Sequence, residues 1–231
     1  DDITQTQIAL INQFGQINQV TAEMVNTTQK WQLALGLSTE EAAEMMETMT
    51  RGWGATNKEI KFFTANVAAN ADIHGVGLSM VMREIAKDAN LLSLYTKDTS
   101  HRLAEAAIQS RVIGVDLSES VNFADQFLDF GEASNKAMKM RLGLGTKLNA
   151  HDLHNLAMFG KTAELQFRMG KEMVASGKWA TLEYGERKKI AAEMGVSVDW
   201  LQKTYNLGLL TEKKYQKQLA DQKALNKLID D

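Results

Sequence analysis

No proline occurs anywhere in the 231 residues. Average usage of roughly 5% would supply about a dozen, and each would remove a backbone donor and kink any helix interior it entered. A chain without them favours helices with unbroken hydrogen-bond ladders. The breaks come instead from a recurring phrase. It appears as "LALGLSTEEAAEMMETM" from Leu33 to Met49, then as "HGVGLSMVMREI", "VIGVDLSESVNFA" and "EMGVSVDWLQKTY". Glycine takes the left-handed conformation that closes one helix, an aliphatic residue staples the junction, and serine satisfies the free amides of the next helix.

From Gly36 onward this grammar predicts short capped helices. Ser38 with Glu41 forms a capping box ahead of Ala42, Met45, Met46 and Met49, which share one buried stripe. Thr56 with Glu59 forms another, ahead of Ile60, Phe63, Val67 and Ala71. After Gly77 and Ser79 come Met82, Ile85, Ala89 and Leu92. After Asp116 or Ser118 come Val121, Ala124 and Leu128, with Phe123, Phe127 and Phe130 as a second stripe. Further helices fit "GEASNKAMKMRL", "NAHDLHNLAM", "KTAELQFRMGKEMVAS", "TLEYGERKKIAAEM" and "SVDWLQKTYNL". No segment shows convincing period-two alternation, so the expected class is all-α. The intervals between the corner glycines look periodic but the helices between them differ, which points to helical hairpins rather than a solenoid.

Residues 1–35 differ in composition. Gln, Asn and Thr provide 15 of them, and the only charged ones are Asp1, Asp2, Glu23 and Lys30. Ile3, Leu10, Ile17, Met24 and Trp31 recur at a seven-residue spacing, and Phe14, Val20 and Leu35 add a partial second row. The pattern predicts one long helix. It either lies on its own domain or self-associates as a coiled coil through Ile3, Leu10, Phe14, Ile17, Val20, Met24 and Trp31. The expected division is therefore 1–35 as a long polar helix, 36–208 as a compact multi-helix domain, and 209–231 as a C-terminal amphipathic helix carrying Tyr215, Leu219, Leu225, Leu228 and Ile229.

Few residues suggest chemistry. A net charge of −3 gives no electrostatic case for nucleic acid or an anionic membrane. Lys213, Lys214, Lys217, Lys223 and Lys227 make a modest basic face that leaves a DNA contact unsupported. Cysteine is absent, which removes disulfides and thiolate metal sites. His151 and His154 share a helix face, but their spacing supplies no third zinc ligand. His101 with Glu105 reads as a surface pair, and His74 suits a helix C-terminus. "LGLGTK", Leu142 to Lys147, lacks the spacing and the preceding strand of a phosphate loop. The remaining enzymatic alternative is a lysozyme-like helical domain with a buried acid, for which Glu164 and Glu183 are the candidates. The expectation is no enzyme, no catalytic residue, no metal and no cofactor. No apolar run reaches the ~20 residues of a membrane span. The start at Asp1-Asp2, without Met or a signal-type segment, suggests a piece of a longer polypeptide.

The order of these motifs carries a resemblance. "LGLSTEEAAEMM" is followed by "ANADIHGVGLSMVMREIAKDANLL", then "AAIQSRVIGVDLSESVNFADQFLDFGEASNKAMKMRLGLGTKLNAHDLHNLA", and then "YGERKKIAAEMGVSVDWLQK". Over residues 33–206 the chain resembles the helical region of bacteriophage tail tape measure proteins. It departs from their pattern at "QFLDFGEASNKAMKM" and "HDLHNLAMFGKT". The resemblance implies a structural virion protein in the tail tube lumen, assembled in the host cytoplasm, whose length sets tail length. It implies partners in the tail tube, the hub, baseplate or tip, and the tail assembly chaperones. It also implies self-association, with three copies favoured over six. Fully helical, 231 residues would run ~350 Å; the many corners instead argue for a folded segment.

Overall fold

A computed structural model of the chain describes residues 2–87 and 100–209. Within them every regular element is helical. Two compact units emerge, one covering the described residues up to Ile108 and the other from Gln109 onward. This division falls inside a helix and differs from the predicted boundaries, because residues 1–35 pack into the first unit instead of leading away from it.

The first unit contains α1 (Asp2–Phe14), α2 (Ala22–Leu35), α3 (Thr39–Glu47), α4 (Asn57–Ile73) and α5 (Leu78–Ala86). The expected single helix over 1–35 is broken. Gly15 adopts φ 70° and ends α1, a 3-10 turn spans Ile17–Gln19, and Thr21 caps α2 by accepting from Met24 N at 3.2 Å. The two helices fold back on α3 and touch each other. Where they meet, Gln32 Nε2 donates to the fully buried Thr6 Oγ1 at 3.1 Å. The longest α-helix among the described residues is α4, of 17 residues.

The second unit is built from α6 (Ser100–Ile113, which straddles the boundary), α7 (Leu117–Asp125), α8 (Phe130–Leu144) and α9 (Ala150–Met158). Four more complete it: α10 (Thr162–Ser176), the single turn α11 (Lys178–Thr181), α12 (Tyr184–Met194) and α13 (Val198–Gly208). Its core gathers Phe123, Phe127, Met140, Leu153, Met169, Trp179, Met194 and Trp200 among others. Phe123 stacks against Trp200 at 4.4 Å between centroids.

The corner grammar holds, with one correction. Ser38 and Glu41 form the expected box, at 2.8 and 3.1 Å, and Thr56 with Glu59 forms the second. Ser197 caps α13 by accepting from Trp200 N at 3.0 Å. Ser79, however, lies inside α5, whose cap is Gly77, and of the alternatives Asp116 and Ser118 it is Asp116 that caps α7. The residue after Gly75, Gly114 and Gly195 does more than staple. Val76, Val115 and Val196 each donate a backbone bond five residues back, to Ala71, Ser110 and Ala191, so these are Schellman closures.

The paired stripes expected on one helix after Asp116 are also split. α7 ends at Asp125, and Asp129 Oδ1 accepts from Glu132 N at 2.8 Å to start α8. Leu128 and Phe130 consequently sit at the surface while Phe123 and Phe127 are buried. Ala89, Leu92 and the C-terminal helix with Tyr215, Leu219, Leu225, Leu228 and Ile229 lie outside the described residues.

One contact in the second unit was not read from sequence. α10 and α13 cross backbone to backbone at Gly170 and Gly208. A Cβ on Gly170 would lie 2.1 Å from Thr204 O, and one on Gly208 would lie 2.1 Å from Gly170 O. Beside the crossing, Gln166 Nε2 donates to Thr204 Oγ1 at 3.2 Å, and Phe167 packs with Leu207. No rotamer change relieves a methyl against a carbonyl, so the helices must separate. Gly170→Ala is expected to cost about 3 kcal/mol or more. Gly185→Ala, in the first turn of α12 with open space around it, should instead stabilise by about 0.5 kcal/mol. Urea unfolding followed by tryptophan fluorescence separates the two.

Candidate functional site

The residues singled out for chemistry are scattered and mostly occupied with structural work. His74 places Nδ1 2.8 Å from Asn70 O at the end of α4. His154 places Nδ1 3.0 Å from Phe127 O, tying α9 to the α7–α8 junction, and Phe130 presents its edge to both His151 and His154. Glu164 is ion-paired with Lys161 at 3.2 Å, and the exposed Glu183 starts α12, with its backbone N–H donating to Glu186 at 3.0 Å. The two carboxylates thus sit at helix N-termini, where they answer the helix dipole. His101 and Glu105 are both half-buried on α6. In "LGLGTK", Gly145 closes α8 in the left-handed conformation, and Lys147 N donates to Glu172 at 2.9 Å. Among the described residues no group of three or more His, Cys, Asp or Glu is placed to hold a metal ion.

One buried charge stands out. Lys136, on α8, donates from Nζ to Met194 O at 3.1 Å, the carbonyl end of α12. Burial is the main cause that holds its pKa below the ordinary lysine value, and the neighbouring Lys139 adds to it, against Glu132. A base whose pKa is depressed by folding is bound to its proton more tightly in the unfolded chain. Stability therefore rises as pH climbs through the interval just under the usual lysine range. That rise should vanish in Lys136→Met, which chemical unfolding at a series of alkaline pH values would detect as a difference between the two proteins.

A shallow depression of about 230 Å³ is lined by Asp152, Asn155, Leu156, Phe159, Lys161 and Arg168. Arg168 faces Asp152 at 3.8 Å across it. Its mixed, open lining fixes no ligand geometry. More of the distinctive surface lies on the first unit, at the predicted interface.

There the seven predicted interface residues divide. Leu10, Phe14, Met24 and Trp31 are buried, so they belong to the unit's own core and are spent within the chain. Val20 is half-buried. Ile3 and Ile17 remain open to solvent, at 61% and 66% exposure. The seven-residue spacing allows either a self-associating seam or a helix lying on its own domain, and folding at Gly15 turns Leu10, Phe14, Met24 and Trp31 inward as in the second.

What holds that fold-back is Arg51, in the π-helical turn Thr48–Gly52 that follows α3. Its guanidinium donates to Phe14 O, the carbonyl end of α1, and to Gln19 Oε1 at 2.5 Å. It also lies 5.2 Å over the Phe14 ring and 3.4 Å from Glu47. One cation thus meets a helix C-terminus, an amide and an aromatic face. No local motif marks it, because its partners Phe14 and Gln19 are distant in the chain. Arg51→Ala should lower stability by about 1–2 kcal/mol. Arg51→Lys, which keeps charge but loses the fork, should recover only part of it. Hydrogen exchange of α1 amides measures both.

Comparison with protein-family models, with curated proteins and with solved structures finds no match to this chain.

Proposed function

We propose that this chain is a folded segment of a bacteriophage tail tape measure protein, acting structurally rather than catalytically. The observation that carries the reading is the order of its corner motifs over residues 33–206, from "LGLSTEEAAEMM" to the late "MGVSVDW". Its place would be the tail lumen of the virion, in several copies, in contact with tube, hub or tip proteins and with assembly chaperones. The chemistry of the surface is compatible with such packing partners. Glu164 and Glu183 stand at helix starts, one ion-paired and one exposed, so neither lies in the closed apolar pocket that the lysozyme-like alternative requires.

Chain economy shapes the role. An extended ruler keeps its helices end to end, while this segment spends its residues on corners. Its task is therefore docking at one end of the tail, with length measured by other parts of such a protein. Deleting residues 36–206 in the phage is expected to abolish tail initiation, read by electron microscopy of lysates. Tails that form at normal length, or merely shorter in proportion to the deletion, would refute the docking role. Detection of the segment's peptides in purified tails would support the location, and their absence would exclude it.

A further inference from the structure

The outward face of α1 carries an exposed isoleucine among uncharged polar residues, away from the buried Leu10 and Phe14. Thr6, Leu10 and Phe14 point into the first unit and are buried. Thr4, Gln5, Ile8, Ile11 and Asn12 share the opposite side by helical spacing. Four of these are exposed and Ile11 is half-buried; Ile8 is 52% exposed. This second side of α1 thus presents Ile8 and the edge of Ile11 among amides and a hydroxyl, and most of it stays open to solvent.

Charge identifies what fits it. From Ile3 to Ala22 no residue carries an ionisable side chain. At the chain's average of 24% charged residues, about five would be expected in a stretch of that length. A face kept in water normally carries such charges, as Lys188, Lys189 and Glu193 do on α12. A partner chosen by charge would find nothing to pair with here. Glutamine and asparagine amides, by contrast, both donate and accept, so a row of them is complementary to itself. Two copies of the face meet without repulsion. Exposed isoleucine supplies the apolar contact, and the amides fix register as polar residues do in helix pairs.

We propose that the Thr4–Ile8–Ile11 face of α1, flanked by Gln5 and Asn12, is where a second copy of this chain docks. The contact centres on Ile8, with the flanking amides of the two copies bonding across it. This rests on the multi-copy reading above and replaces the Leu10, Phe14, Met24 and Trp31 seam with a surface that is still available.

Sedimentation velocity of the whole chain, from micromolar to near-millimolar concentration, tests the proposal. Reversible self-association that persists from low to molar salt is expected, since screening removes only charge-driven contacts. Ile8→Lys should weaken it at least about tenfold. Asn12→Asp, which keeps the side-chain shape and adds repulsion between copies, should weaken it as well. Leu33→Lys, at an 84% exposed position on α2, should leave it unchanged. Circular dichroism melting of each variant establishes that it folds. A chain that stays monomeric, association lost in high salt, or equal weakening by Leu33→Lys would each overturn the α1 face. None of those results bears on tail initiation, which the deletion of residues 36–206 tests separately.

Discussion

Each helix end leaves backbone carbonyls that must find donors, and at most of the described helices a left-handed glycine just past the end decides how they do so. With no proline to stop a helix, termination falls to residues such as Gly36 and Gly195, at φ 66° and 71°. A residue with a Cβ resists that conformation. The amides that fold back there occupy the orphan carbonyls, and the chain emerges in a new direction with the next cap already placed. The short capped helices and the buried stripes they present follow from this single backbone option, used repeatedly.

The corners were legible because they are local. Gly36, Ser38 and Glu41 lie within one turn of each other, so the chemistry that joins them is written consecutively. The same holds for Thr56 with Glu59 and for Gly195 with Ser197. Residues 1–35 misled for the opposite reason. Seven-residue spacing is consistent with a straight helix, and a lone Gly15 does not by itself break one. The break is set by Arg51, from a different helix, and by the burial of Leu10 and Phe14 against α3. Periodicity picked out Leu10, Phe14, Met24 and Trp31, which are buried as in a helix lying on its own domain, but also Ile3 and Ile17, which stay exposed once the rod is broken. Ser79 falls inside its helix because Gly77 already occupies the cap position, and of the two candidates Asp116 and Ser118 it is Asp116 that caps.

The polar pairs inside the two units have a common logic. Thr6 with Gln32, Thr27 with Asn57, Ser110 with Ser120, and Gln166 with Thr204 each join different helices. Each satisfies groups that would be costly if left alone, and each is lost if its helices slide by a turn. Around them the methionines Met45, Met46, Met49 and Met82 are fully buried, and such side chains fit many alternative packings. The hydrogen bonds thus supply the selectivity that a methionine-lined interior lacks. None of these pairs is visible as a motif, since each depends on helices meeting across the fold.

The contact of Gly170 with Gly208 has a consequence for divergence. Most interior positions tolerate exchange when a neighbour shrinks as they grow, so two related chains can drift until no likeness is detectable. Here the opposing surface is main chain, which cannot shrink, and neither position has a compensating change open to it. A distant cousin that kept this crossing would retain both glycines after its surrounding letters had been replaced, making the pair a better tracer of ancestry than any corner motif.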